Sequence, residues 1–177
     1  MSMESHFELL ANYNQWMNGN IYEAARGLSG EDLAKDRGAF FGSILGTLNH
    51  LIVADTIWLK RFATHSSSKH SLSAIATLEV PSRLDQTIFS DFDQLLERRV
   101  WLDQLIIDWI ATLSDDDLES TLNYCNTKGT AFNKQYSHVI LHFFNHQTHH
   151  RGQASTLRSQ AGADIGVTDL LAIIPNE

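Results

Sequence analysis

The sequence predicts an all-α protein, four helices packed as a bundle in a single domain over residues 1–177, and three observations predict it. Apolar residues recur at helical spacing in four separate stretches. Proline occurs only as Pro81 and Pro175, which suits long helices and not a loop-rich β sandwich. Hydrophobic residues make up 43% of the 177-residue chain and charged residues 19%, enough apolar material for a core and too little charge for disorder.

The first helix runs from Glu4 to Arg26. Phe7, Leu10, Met17, Ile21, Ala24 and Leu28 form its stripe, and Gly27 with Ser29-Gly30 marks its stop. Residues 28–40, with Gly30, Gly38 and mixed charge, read as a loop. The second stripe is Ile44, Leu48, Leu51, Asp55, Trp58, Leu59 and Phe62, with Ser43 placed to cap its start. Thr64 to Ser71 breaks it, and Pro81 closes a connection with room for one short helix around Leu72 to Leu78. The third stripe is Ile88, Phe92, Leu95, Leu102, Ile106, Trp109 and Leu113, ended by Ser114 and Asp115 to Asp117. Around Lys128-Gly129, Ser120 to Lys134 reads as a short hairpin or irregular excursion. The fourth stripe starts near Ser137, passes Val139, Phe143, His146, His150 and Leu157, and stops at Gly162. Four amphipathic helices hide their stripes most economically together, and the stretch between the second and third is long enough for a crossover.

Composition excludes several functions. Thirteen Lys and Arg against twenty-one Asp and Glu give a formal charge of −8, and without a basic stripe nucleic-acid binding is disfavoured. Cys125 is the only cysteine, so an internal disulfide and a Cys-rich zinc module are both ruled out. The longest apolar run, Leu170 to Ile174, is far short of a membrane span. The start lacks the basic and apolar regions of a secretion signal, so a soluble cytoplasmic protein with no membrane partner is expected.

Five of the nine histidines lie between His138 and His150. Residues four apart on a helix sit about 40° apart in rotation, so His146 and His150, on the line of Val139, Phe143 and Leu157, are expected to point into the bundle. Two imidazoles one turn apart can converge on one divalent cation. His138 with His142, and His142 with His146, are competing pairs, while His149 faces away from the stripe. A metal site between helices needs a ligand from a facing helix, and His50 is the only histidine inside the second helix. Taken singly, His50 reads as a core histidine satisfied by a hydrogen bond. For the pair, spacing alone leaves ligand and core readings both standing. Three neutral imidazoles without a fourth protein ligand leave a coordination position open, the arrangement of a catalytic site.

Three segments resemble a known family. His146-Gln-Thr-His-His150-Arg-Gly-Gln153 is similar to the motif on the last long helix of the DinB/YfiT-like metalloenzyme family. Leu48-Asn-His50-Leu-Ile-Val-Ala-Asp55-Thr-Ile-Trp58-Leu59 is similar to its second-helix segment, and Gly162 to Leu171 to its ending. The resemblance covers nearly the whole chain. It implies an antiparallel four-helix bundle, a divalent metal held by His50, His146 and His150, and a homodimer. Wider relatives include thiol-dependent isomerases and S-transferases, so the implied function is metal-dependent thiol transfer or hydrolysis on a small molecule. Zinc or nickel suits the imidazole ligands, with a low-molecular-weight thiol as a further cofactor. The alternative is a non-catalytic dimeric metal-binding or stress-response module. Gln147 stands where a zincin has its glutamate general base, and the ligand spacing differs too, which argues against that protease chemistry.

Two neighbours complete the candidates. Asp55 interrupts the second stripe, either to orient a ligand histidine or as a buried carboxylate paired with an Arg or Trp donor. Arg151 follows His150, to bind an anionic substrate or pair with surface acid. Gly152 suggests close approach of another element. The tryptophans are expected to pack the core, one of them free to line a pocket, and Cys125 to be semi-buried. The Asp115–117 run reads as a helix boundary, since it lacks the ligand spacing of a calcium loop.

Overall fold

A computed structural model describes residues 2–176 of the chain. Among them are α1 (Met3–Arg26), α2 (Gly30–Ala34), α3 (Ile44–Phe62), α4 (Phe92–Ile110), α5 (Asp115–Glu119) and α6 (Tyr136–Gln160), with strands β1 (Thr121–Cys125) and β2 (Ala131–Gln135) between α5 and α6. The four long helices are those whose stripes the sequence displays. α1 packs on α4 and α6, and α3 packs on α6 and α4. Leu48, Leu51, Leu102, Ile106, Trp109, Ile140 and Phe143 meet in one core.

Local chemistry sets the ends. Ser43 caps α3 by accepting from Gly46 N at 3.0 Å, and Gly162 follows α6 in the left-handed region, at φ 81°, which glycine adopts without a Cβ penalty. α4 starts later than the apolar stripe, under an Asp91 cap. The reason is Asn49 of α3, whose Oδ1 accepts from Ile88 N at 2.8 Å and Phe89 N at 3.0 Å, while its Nδ2 donates to Phe89 O. Those backbone groups are committed before α4 begins.

Two short helices escape the apolar pattern. In the stretch expected to be a loop, Ser29 caps α2. Ser114 and Asp117, expected only to end a helix, form a capping box that opens α5. The all-α expectation is corrected by an antiparallel hairpin, in which Asn123 lies opposite Asn133, in the segment where the sequence allows one. The short helix expected around Leu72 to Leu78 is a 3₁₀ turn, Ser73–Thr77, which buries Ile75.

All four long helices also meet in a buried polar network. Arg99 Nη1 donates to Asp55 Oδ2 at 2.5 Å, and Arg99 Nη2 lies 2.9 Å from Asp103 Oδ1. Asp103 Oδ1 also accepts from Asn14 Nδ2 at 3.2 Å and Asn18 Nδ2 at 2.8 Å. Arg151 donates to Asn14 Oδ1. α1, α3, α4 and α6 each supply at least one member, and every member is buried.

Removing one partner from a buried ion pair leaves an uncompensated charge. Arg99→Met, which strands Asp55 and Asp103, should therefore lower unfolding stability by about 3–5 kcal/mol. Urea denaturation measures it. A loss within the range of ordinary surface substitutions, about 0.5 kcal/mol, would show that the network does not hold the helices together.

Candidate metal centre

α3 carries His50 and α6 carries His146 and His150, and the contact between these two helices brings the three rings together. Ring centroids are 4.4 Å apart for His50 and His150, 5.3 Å for His50 and His146, and 4.3 Å for His146 and His150. One ring nitrogen from each lies within 4.8 Å of the other two. The competing pairs are set aside: His138 and His142 are exposed and line a separate cleft, and of the pair His142 and His146 only His146 belongs to the cluster.

Hydrogen bonds fix the tautomers. His50 Nδ1 is 2.8 Å from Leu84 O. A carbonyl can only accept, so the proton sits on Nδ1 and Nε2 keeps its lone pair. That Nε2 is buried and has no hydrogen-bond partner among the described residues. Leaving such an atom unmatched costs about 1–3 kcal/mol. His150 Nδ1 is 2.8 Å from Gln153 Oε1, whose amide nitrogen lies 3.3 Å from His149 Nε2. With the amide in that orientation, His150 is also protonated on Nδ1 and free on Nε2.

Electrostatics favour neutral rings. Burial pushes His50 down to about 4, although the Leu84 carbonyl pulls the other way and His150 adds to the depression. Burial, with the neighbouring His150 and His50, pushes His146 down to about 3. His150 is lowered too, chiefly by burial. Metal ligation requires the unprotonated imidazole, and these rings hold that form at neutral pH. A buried lone pair without a protein partner, facing two further neutral imidazoles, fits a divalent cation.

A third segment covers the site. The Phe41 ring stacks on His50, with centroids 3.8 Å apart and planes 16° from parallel, and meets His150 edge-on at 5.5 Å. Its loop turns back on itself through Gly42 N to Ala39 O, with Gly38 and Gly42 at φ 71° and 72°. Phe41 O would clash with the first carbon of any side chain at Gly46. Glycine at 46 is what lets the loop lie against α3.

The remaining candidates are placed as follows. Asp55 takes the second of the roles open to it: its carboxylate pairs with Arg99 in the core. Arg151 is buried and bonded to Asn14 and to Thr148 Oγ1, so of the two roles open to it the pairing with surface acid is not seen. His146 and His150 are half-buried at the edge of the inward face, which instead carries Gln147, Arg151 and Arg158 among its apolar residues. That corrects the expectation that the pair points to the centre of the bundle. A Cβ on Gly152 would meet open space, so no close approach explains that glycine. Cys125 is exposed. Trp109 is fully buried, whereas Trp58 lines a cleft.

Sequence reasoning missed four parts of the site: Leu84 O, Asn49, Gln153 and Phe41. Gln153 is the one with a readable signal, because residues three apart share a helix face.

A family model described as the DinB family matches residues 1–176. "Protein DinB" of Bacillus subtilis (strain 168) is 26% identical over 160 residues, an alignment that spans 90% of this chain and 88% of that protein.

Two outcomes test the site's construction. In metal-free protein, the unfolded chain binds protons near the ordinary histidine value of about 6.5, and folded His50 and His146 bind them only near about 4 and 3. The unfolded state thus takes up more protons in that window, and stability present above about pH 6.5 is lost as the pH falls through it. Imidazole NMR resonances of both residues should still report the neutral form at about pH 5; titration at the ordinary value would contradict this geometry. Gly46→Ala should displace Phe41 and weaken its contact with His50, seen as loss of the ring-current shift on the His50 imidazole. An unchanged shift would mean that the loop does not depend on Gly46.

Proposed function

The chain belongs to the DinB family, and from that premise we propose that it is a metal-dependent enzyme acting on a small molecule, by thiol transfer or hydrolysis, at a centre formed by His50, His146 and His150. The single observation that carries the proposal is the buried, unpartnered Nε2 of His50 facing the α6 pair. A core histidine satisfied by hydrogen bonds would have both nitrogens engaged, whereas only Nδ1 is engaged here. Zinc or nickel suits three imidazoles, and a low-molecular-weight thiol is the co-substrate if the reaction is thiol transfer.

A divalent cation in such a site supplies Lewis acidity, which lowers the pKa of a bound water or thiol. The protein's own groups do the rest. Leu84 O keeps the His50 proton on Nδ1, and Gln153 Oε1 does the same for His150, so each ring presents a lone pair without first losing a proton. Phe41 closes one side and excludes water there. The three side chains leave further coordination positions free for water or substrate. Gln147, the residue after His146, is fully buried and is no general base.

The same reading takes α1, α3, α4 and α6 as the family's antiparallel four-helix bundle, with the α3–α4 connection as its crossover, in a cytoplasmic homodimer that binds a small-molecule substrate. No helix among the described residues is long and apolar enough to cross a membrane.

Protein purified without a metal-affinity column, stripped and titrated with zinc in a calorimeter should take up one ion per chain. His146→Ala should abolish that uptake. Gln153→Ala should weaken it roughly 10–100-fold, the usual effect of losing a ligand's hydrogen-bond partner. Full zinc binding by His146→Ala would refute the site. Activity in a thiol-plus-electrophile screen that is indifferent to chelator would refute metal-assisted chemistry, and zinc binding with no activity in that screen would leave the non-catalytic metal-binding module.

A further inference from the structure

A cleft of about 390 Å³ lies along α6 beside the histidine cluster, lined by Trp58, Tyr124, Lys134, His138, Val139 and His142. α3, both strands of the hairpin and α6 all contribute to it. This volume falls in the range of small-molecule sites, about 300–1,000 Å³. The cleft is close to the proposed centre, because His142 is one turn from His146 and their ring centroids are 6.1 Å apart. A molecule lying along the cleft therefore has its inner end next to a proposed metal ligand.

Its walls are aromatic. Trp58 meets Tyr124 at 5.5 Å and His142 at 5.2 Å, in both cases edge-on. Its charge is positive: Lys134 lines it and, among the described residues, no carboxylate does; behind its aromatic wall, in the neighbouring cleft, the Arg61 guanidinium lies 4.5 Å from the Trp58 ring centroid and 5.4 Å from that of Tyr124. In a chain of formal charge −8, a cationic, aromatic recess runs against the overall field. Low-dielectric walls strengthen its attraction for an anion. The second cleft beside the site, lined by Arg37, Phe40 and Gln153 among others, lacks this character. Arg37 there donates to Asp32 O and lies 3.7 Å from the Asp32 carboxylate, so its charge is already met.

We propose that this cleft binds the substrate, and that the substrate is a small organic anion with a planar apolar body, its charge at Lys134 and its body between Trp58 and His142. The proposal rests on the metal-centre reading only for where the reacting end of the molecule lies. Trp58 and His142 supply faces and edges for stacking, and Lys134 supplies a mobile point charge. The hairpin, which lies outside the four long helices, thereby gains a role in specificity.

The test uses 1-naphthoate as probe and 1-naphthalenemethanol as its uncharged counterpart, with binding followed calorimetrically in wild type, Lys134→Glu and Lys134→Arg. Wild type is expected to bind naphthoate more tightly than the alcohol. Lys134→Glu should weaken naphthoate at least about tenfold, and Lys134→Arg should restore it. Lys134 is an exposed hairpin residue, so these variants keep the core intact. No naphthoate binding, equal binding of the alcohol, or indifference to Lys134→Glu would overturn the proposal. Zinc titration of the same preparations reports separately on the centre, so a missing metal and a missing substrate site give different results. With cobalt in the centre, paramagnetic broadening of the naphthoate protons is expected; cobalt bound without broadening would overturn the placement beside His146.

Discussion

The geometry depends on Arg99. Its guanidinium reaches Asp55 on α3 and Asp103 on its own helix, and Asp103 gathers Asn14 and Asn18 from α1. Asn14 in turn accepts from Arg151 of α6. Apolar packing alone tolerates sliding of one helix along another, because any apolar ridge will fill a similar groove. Directional bonds between buried charges do not tolerate it, since a slip strands a charge in the core. Asp55 lies five residues beyond His50, and Arg151 directly follows His150. Fixing Asp55 and Arg151 against α1 and α4 thus sets the relative position of α3 and α6 at the level where their histidines meet. This explains why charged residues stand in the interior next to the site. Replacing the whole network with apolar groups of matching volume could retain stability and still lose the register on which the histidine cluster depends.

A second layer of constraint acts on the histidines themselves. Asn49 and His50, adjacent on α3, both bond to the backbone of the α3–α4 connection, Asn49 at residues 88–89 and His50 at Leu84. That long connection is therefore tied to the site at two points and supplies the carbonyl that fixes the His50 tautomer. From the other side, the loop before α3 presses Phe41 onto His50, at a distance allowed by the missing side chain of Gly46. Burial under these two segments removes the water that would stabilise an imidazolium, and this is the cause of the lowered proton affinity of His50. The surrounding loops prepare the ligands as much as the helices position them.

The helices with plain apolar stripes were legible in the sequence. α3 and its Ser43 cap are where Ile44, Leu48 and Leu51 place them, and α1 follows from Phe7, Met17 and Ile21. The three candidate ligands were also readable, His146 and His150 from their spacing and His50 as the lone histidine of the facing helix. The family resemblance favoured the same set. α6 was misread in rotation, because its inward face carries Gln147, Arg151 and Arg158. Polar residues on a buried face, such as Arg151 with its bond to Asn14, look, in a sequence, like a solvent face. The role of Asp55 could not be decided because its partner, Arg99, lies 44 residues away on another helix. Leu84 was invisible as a site residue for a more basic reason: its contribution is a backbone carbonyl, which every residue has. Short helices such as α2 and α5 were hidden because one or two turns hold too few apolar residues to show a period, although their serine caps were in view.

The central claim is that one ring nitrogen from each of His50, His146 and His150 meets a single divalent cation. Anomalous scattering from a zinc-loaded crystal at the zinc edge tests it most directly. One strong peak at about 2.0–2.1 Å from all three rings, with His50 Nδ1 still bonded to Leu84 O, is the expected result. A peak at the His138–His142 pair, or no peak at the cluster in crystals grown with excess zinc, would contradict it.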